Sequence, residues 1–313
     1  MTWIDWLISG ILAFIMLSVG LSLSWREFAV TFARPRAYFV GLLLQLVYLP
    51  LMAFAVMYFA PLPVAFKVGI VILAACPGGM TSNFISYLVN ANAALSISLT
   101  VTNSFIALVS VPFIVNLALG YFMHTGEADL SLPFWETVRQ IFTITIVPVF
   151  LGLMIRRYWS AFAVRAERSL KWVTVFMLAL LFLVKFFAAE EQGGTGITPA
   201  EVGQIFPYSL LVNVLGLASG FVVGRWLRFK TATQVTLGVE VGIQNSSLVF
   251  LIASTLIGNE DMIKPALVYA MFTFFTAVIY GLLLMPHQTG RLWRELLQTV
   301  GLRRKKEAPP ERE

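Results

Sequence analysis

The chain has 313 residues, 58% of them apolar and 12% charged, with a mean hydropathy of +0.83. Soluble domains carry roughly a quarter charged residues, so an ordinary soluble globule is excluded. The formal net charge of +6 suggests a nucleic-acid binder until the positions of the bases are read, when it becomes a topology signal instead.

Apolar stretches recur along the whole length, each long enough to cross ~30 Å of hydrocarbon at ~1.5 Å per residue. No short alternating segments suggest a β-barrel. The expected fold is an all-α polytopic membrane protein with nine transmembrane helices. In chain order the spans cover roughly 3–24, 37–60, 64–91, 93–123, 134–155, 169–188, 204–227, 231–257 and 262–285. The start has neither a basic segment nor a small-residue cleavage motif, so no removable signal is expected.

The second span carries Gln45 at mid-depth. The third contains "LAACPGGMTSNFISYL", residues 73–88. There Pro77 removes a backbone donor and crowds the preceding turn, and Gly78 and Gly79 permit unwound backbone. Thr81, Ser82 and Asn83 are placed to cap a second half-helix. The fourth span opens with Ser96 and Thr100, four apart and so on one helix face. The seventh carries Asn213 at mid-depth. The eighth contains "LGVEVGIQNSSLVF", residues 237–250. Here Gly238 and Gly242 flank Glu240, and Gln244, Asn245 and Ser246 offer a helix restart. The tail, 286–313, ends in "RRKKEAPPERE" and reads as a solvated basic end.

The loops sort by charge. Arg26, Arg34 and Arg36 lie on one side. So do Arg156, Arg157, Arg165, Arg168 and Lys171, then Arg225, Arg228 and Lys230, and the basic tail. Glu127, Asp129, Glu190, Glu191, Glu260 and Asp261 lie on the other. The positive-inside rule then places the N-terminus outside and the C-terminus in the cytoplasm. The expected location is a bacterial inner membrane.

Irregular backbone at membrane depth survives only inside protein or beside a water-filled cavity. Two broken helices at comparable positions point to a transporter binding site. The third and eighth spans are five apart and therefore run in opposite directions, as an inverted repeat requires. Gln45 and Asn213 then occupy matching helices. The repeats are 1–123, with four helices, and 134–285, with five.

Glu240 is the one acid well inside a span. Arg139, Lys185 and Lys264 lie near span ends, where long side chains can snorkel. An unpaired carboxylate in hydrocarbon costs at least ~2.5 kcal/mol on insertion scales. It can hold a proton, face a wet cavity or bind a mobile cation. Neighbouring hydroxyl, amide and freed carbonyl oxygens favour the last, and one carboxylate among neutral oxygens suits Na⁺ better than a divalent ion. Asn103 and Asn116 read as structural.

"MLSVGLSLSWREF", "CPGGMTSNFISYL" with "NAALSISLT", and "LGVEVGIQNSSL" resemble the bile acid:sodium symporter family over nearly the whole chain. The resemblance implies two crossed broken helices and a core domain, 37–123 and 204–285. It also implies a panel domain, 1–24 and 134–188, moving against that core. It implies two sodium ions. The first would use Ser82, Asn83, Ser96, Thr100 and Glu240. The second would use Gln45, Glu240, Gln244 and the carbonyls of Val241 and Ile243. Substrate would sit near Thr81, Asn245 and Ser246, with Asn213 grouped beside them, where helix N-termini favour an anion. Ten-helix members have one more leading helix than the nine counted here. Met80 and the pair Thr273 and Phe274 stand where members often carry polar groups, which leaves the substrate pocket more apolar.

The expected function is sodium-coupled symport of a small organic anion, such as a bile-acid-like steroid or a pantoate-like carboxylate. The expected partners are that anion, sodium and the lipid bilayer, without nucleic acid or an obligatory protein partner. One alternative is a proton-coupled carrier with Glu240 as the proton site, and another is a receptor that binds without transport. An intramembrane enzyme would need a nucleophile with a base, or a metal cluster. His124 and His287 are isolated, no acidic pair forms a metal motif, and the single Cys76 reads as a packing residue that excludes an internal disulfide.

Overall fold

The computed structural model describes residues 3–22, 35–123, 133–188 and 193–285. The basic tail and the charged residues Arg26, Arg34, Glu127, Asp129, Glu190 and Glu191 lie outside the described residues. All regular structure among the described residues is helical. The helices are α1 (Trp3–Ser22), α2 (Pro35–Phe59), α3 (Val64–Ala75), α4 (Met80–Leu88), α5 (Ala93–Phe122) and α6 (Phe134–Tyr158). They continue with α7 (Ser160–Phe187), α8 (Pro199–Trp226), α9 (Thr231–Gly242), α10 (Ser246–Phe250) and α11 (Lys264–Leu284). A π-helical stretch, Leu251–Ile257, prolongs α10, and a 3₁₀ turn, Glu260–Ile263, leads into α11.

By length and composition, six stretches among the described residues can cross a membrane: α2, α5, α6, α8, α9 with α10, and α11 with its leading turn. Shorter apolar runs lie in α1, α3 and α7. Phe39, Leu51, Phe113, Phe150, Phe176 and Ile279 are exposed, an outward apolar belt suited to lipid. Exposed Trp135, Tyr158, Trp159 and Trp226 lie at helix ends, where amphipathic rings settle at membrane interfaces. The α9–α10 stretch differs from the rest: 89% of its apolar window is buried, against 33–44% in the other five. It is the centre of the molecule.

Helices α1, α6 and α7 pack on one another. The contact between α1 and α6 is backbone to backbone: a Cβ on Gly20 would collide with the Val149 carbonyl, and one on Gly152 with the Leu17 carbonyl. Helices α8 and α9 meet in the same way, through Gly216, Gly220 and Gly224 on α8 and Gly238 and Gly242 on α9. Small residues allow this approach, and within lipid such packing is a main source of helix association. Gly238 therefore serves close packing inside an unbroken α9, and the break follows it at 243–245.

Two π turns precede prolines: Leu44–Tyr48 before Pro50 in α2, and Phe142–Ile146 before Pro148 in α6. A widened turn accommodates a ring that lacks an N–H and crowds the preceding carbonyl. Gln45 lies inside the first of these turns and is buried.

Of the three bases near span ends, Arg139 is exposed and can reach water, whereas the two lysines do not snorkel. Lys185, 1% exposed, pairs with Glu260 at 2.8 Å. Lys264, 7% exposed, pairs with Glu201 at 2.8 Å and Asp261 at 2.7 Å. Their counter-charges come from the loops and helix ends beside them, so each is neutralised in place.

Candidate functional site

The two helix breaks meet. Helix α3 ends at Ala75 and α4 begins at Met80, so Cys76 to Gly79 form the first unwound segment; Ile243 to Asn245 form the second. Asn245 N–H donates to Pro77 O across the crossing at 3.1 Å. Asn245 caps α10, its Oδ1 accepting from Leu248 N–H at 3.2 Å. The first break is capped differently from the sequence expectation. Gly79 is the N-cap of α4 and no side chain caps it; Ser82 Oγ instead donates back to Gly79 O at 2.8 Å.

Glu240 is fully buried in α9 and reaches α5. Ser96 Oγ donates to its Oε2 at 2.8 Å, and Thr100 Oγ1 to its Oε1 at 2.5 Å. Thr100 Oγ1 is also 3.1 Å from Asn83 Oδ1. One hydroxyl proton thus faces two acceptor oxygens, and three oxygens converge from α4, α5 and α9. A Cβ built on Gly78 would lie 2.7 Å from Glu240 Oε1 and 3.1 Å from Ser82 Oγ. The carboxylate therefore fills the space that this glycine leaves at the first break. Among the described residues no ion pair involves Glu240. The structure thus brings together Ser82, Asn83, Ser96, Thr100 and Glu240 as oxygen-bearing groups with fewer protons than acceptors, a donor set that fits a small cation.

A second group adjoins it. Gln45 Nε2 donates to Cys76 O at 2.9 Å and to Gln244 Oε1 at 2.8 Å. Gln244 Nε2 donates to Val241 O at 2.7 Å. Gln45 Oε1 is buried and without a hydrogen-bond partner. An orphaned buried oxygen is costly unless something electropositive meets it, so this group fits a cation too. Glu240 touches the first group directly and reaches the second through Val241, the next residue. Ile243, whose carbonyl the sequence reading assigned here, lies in extended backbone at φ −117°, ψ 120°.

Beside the crossing lies a cavity of about 20 Å³. The crossing supplies Gly78, Gly79, Thr100 and Asn245; α1 and α6 supply Met16, Val19, Ile146 and Val149; Ser104 and Phe105 add to the α5 wall. No basic side chain lines it. This volume holds a water molecule or two, not an organic solute. Of the four substrate residues expected from sequence, Asn245 lines the cavity. Thr81 is exposed and Ser246 half-buried, and neither is among the lining residues. Asn213 is fully buried and donates to Gly242 O at 2.6 Å, away from the cavity. Phe274 stacks on Phe84 of α4 with centroids 6.5 Å apart, and Thr273 is buried.

Sequence reasoning did not anticipate the α1 and α6 walls of the cavity, or Tyr269, whose hydroxyl donates to Gly242 O at 2.6 Å. Pro148, which follows the π turn that ends at Ile146, was the available signal for α6. For Tyr269, a tyrosine in an apolar helix, there was none.

The family model described as the sodium bile acid symporter family matches residues 10–192. That stretch includes the first break, Gln45, Ser96 and Thr100; Glu240 lies beyond it. YocS of Bacillus subtilis, an uncharacterized sodium-dependent transporter, is 27% identical over 79% of this chain and 73% of its own length. A probable chloroplastic sodium/metabolite cotransporter of rice, BASS2, is 27% identical over 82% of this chain. This chain spans 58% of that rice protein. The rabbit ileal sodium/bile acid cotransporter is 25% identical over 87% of this chain and 77% of its own length.

Proposed function

This chain belongs to the sodium bile acid symporter family, and from that premise we propose that it is a sodium-coupled symporter of a small organic anion. The observation that bears most weight is Glu240: a fully buried carboxylate with no basic partner among the described residues, held by Ser96 and Thr100 where two broken helices cross.

Two sodium ions bind as cargo and coupling ions. The first is held by Ser82, Asn83, Ser96, Thr100 and Glu240, and the second by Gln45, Gln244, Glu240 and the carbonyls of Val241 and Ile243. The ions neutralise Glu240 and tie α4, α5 and α9 together, which orders the crossing. Anion binding follows at the cavity, where Asn245 and the N-terminal ends of α4 and α10 meet the charged head and Met16, Val19, Phe105 and Val149 meet the apolar body. A bile-acid-like steroid or a pantoate-like carboxylate fits that division. Asn213 is reassigned from substrate contact to the helix break it holds.

The 20 Å³ cavity is too small for such a solute, so transport requires α1, α6 and α7 to move as a panel against the remaining helices. Coupling follows because the ions bind the substrate-competent arrangement more tightly. Nine spans in an inverted repeat, with the N-terminus outside and the C-terminus in the cytoplasm of a bacterial inner membrane, complete the reading. A parallel between the two halves supports the repeat. Gln45 of α2 donates to the Cys76 carbonyl just beyond α3, and Asn213 of α8 donates to the Gly242 carbonyl at the end of α9.

The test is uptake of labelled organic anions into proteoliposomes. An inward sodium gradient should drive accumulation and a potassium gradient should not. Accumulation without sodium, following a pH gradient, would assign Glu240 to protons and overturn the sodium reading.

A further inference from the structure

The last four carbonyls of a helix lack intrahelical donors, and α9 ends inside protein, so each of its terminal carbonyls needs a partner. Ile243 N–H takes Val239 O at 3.1 Å, and Gln244 Nε2 takes Val241 O at 2.7 Å. Gly242 O receives two donors from two other helices: Asn213 Nδ2 of α8 at 2.6 Å and Tyr269 OH of α11 at 2.6 Å. Asn213 Nδ2 also lies 3.3 Å from the Tyr269 hydroxyl, which closes a triangle. Both side chains are buried, at 0% and 1% exposure.

One donor would satisfy this carbonyl. Two donors converging from different helices also fix its direction. Gly242 is the middle of three consecutive residues, and the carbonyls of the outer two, Val241 and Ile243, belong to the proposed second sodium group. Turning the central peptide would turn the peptide planes on both sides. In the first half of the chain the Cys76 carbonyl takes one side-chain donor among the described residues, Gln45. Among those residues the tyrosine is an addition in the half that carries Glu240.

We propose that Tyr269, with Asn213, is a positioning residue for sodium: it contacts no ion, but it clamps the Gly242 carbonyl so that the neighbouring carbonyls face the ion. This rests on the sodium reading of the site. Tyr269→Phe removes one oxygen and keeps the ring, so the packing of α11 survives.

The experiment is a sodium titration of thermal stability in detergent, with sodium replaced by potassium at constant ionic strength. The wild type, Tyr269→Phe, Asn213→Ala and Glu240→Ala are compared. The sodium concentration giving half the stabilisation should rise about fivefold in Tyr269→Phe, the effect of one ordinary hydrogen bond, and in the same direction in Asn213→Ala. Glu240→Ala should not respond. If Tyr269→Phe is destabilised equally in both salts and keeps the wild-type sodium midpoint, the clamp is merely structural and the inference fails alone. If the wild type itself ignores sodium, the proposed function fails and the clamp with it.

Discussion

Replacing Glu240 by glutamine changes charge with almost no change in shape. Ser96 Oγ and Thr100 Oγ1 lie 2.8 Å and 2.5 Å from the two carboxylate oxygens, and each hydroxyl can accept from an amide as well as donate to an oxygen. The hydrogen bonds therefore survive while the charge disappears. Without sodium, the wild type carries a fully buried carboxylate whose cost is at least ~2.5 kcal/mol on membrane-insertion scales. Glu240→Gln escapes that cost, so in potassium it should melt at or above the wild type. With sodium at 100 times its dissociation constant, the wild type gains about 2.7 kcal/mol from binding. At about 2–4 °C per kcal/mol this is a rise of roughly 5–10 °C, which the glutamine variant should lack. The lead of the glutamine variant in potassium should therefore shrink by that amount, or vanish, in sodium. Thermal unfolding followed by intrinsic tryptophan fluorescence, in matched sodium and potassium buffers, measures this directly. A glutamine variant with an undiminished sodium shift would show that the charge does not hold the ion. One that melts below the wild type by the same margin in both salts would show that the carboxylate is structural.

Gly78→Ala should abolish the sodium response, because its Cβ would lie 2.7 Å from Glu240 Oε1, whereas Gly79→Ala, whose nearest neighbour is 3.9 Å away, should keep it; the same melting experiment separates them, and equal effects would contradict the geometry. Gln45→Ala removes the orphaned Oε1 and the donor to Cys76 and Gln244, so a sodium titration should show one weakened binding phase and one preserved. Loss of both phases would mean that the two groups are not separable. At the Lys185–Glu260 pair, exposures of 1% and 42% predict an asymmetry in melting temperature. Lys185→Met leaves a carboxylate that can reach water and should cost about 1 kcal/mol, while Glu260→Gln strands a buried ammonium and should cost roughly 3–5 kcal/mol. The reverse order would refute the pairing as described.

Much of the crossing was legible because breakers are chemically conspicuous in apolar sequence. Pro77, Gly78 and Gly79 located the first break, expected near 77–83 and found at 76–79, while the second, expected near 238–246, is confined to 243–245. The meeting of Ser96 and Thr100 with Glu240 was legible from one acid and a four-residue spacing, whereas Ser82 and Asn83 came from the family resemblance. What escaped depended on backbone geometry that apolar periodicity does not encode. Hydropathy marks only the apolar part of a helix, so the start of α7 was set nine residues late, at 169 instead of Ser160, beyond first turns that carry Arg165. The π turn that carries Gln45 inward has no composition cue beyond the proline after it. Lys185 was read as snorkelling because its partner Glu260 is 75 residues away in sequence, and Lys264 because its partner Glu201 is 63 away, although its second partner, Asp261, stands only three residues before it. Asn213 was grouped with substrate because its repeat position was visible and its hydrogen bond to Gly242 was not.

The most direct measurement is equilibrium binding of radiolabelled sodium to the purified chain in potassium buffer. Saturable binding of two ions per chain, lost in Glu240→Ala, is expected. No saturable binding, or binding unchanged by that substitution, would contradict the assignment of the buried carboxylate to sodium.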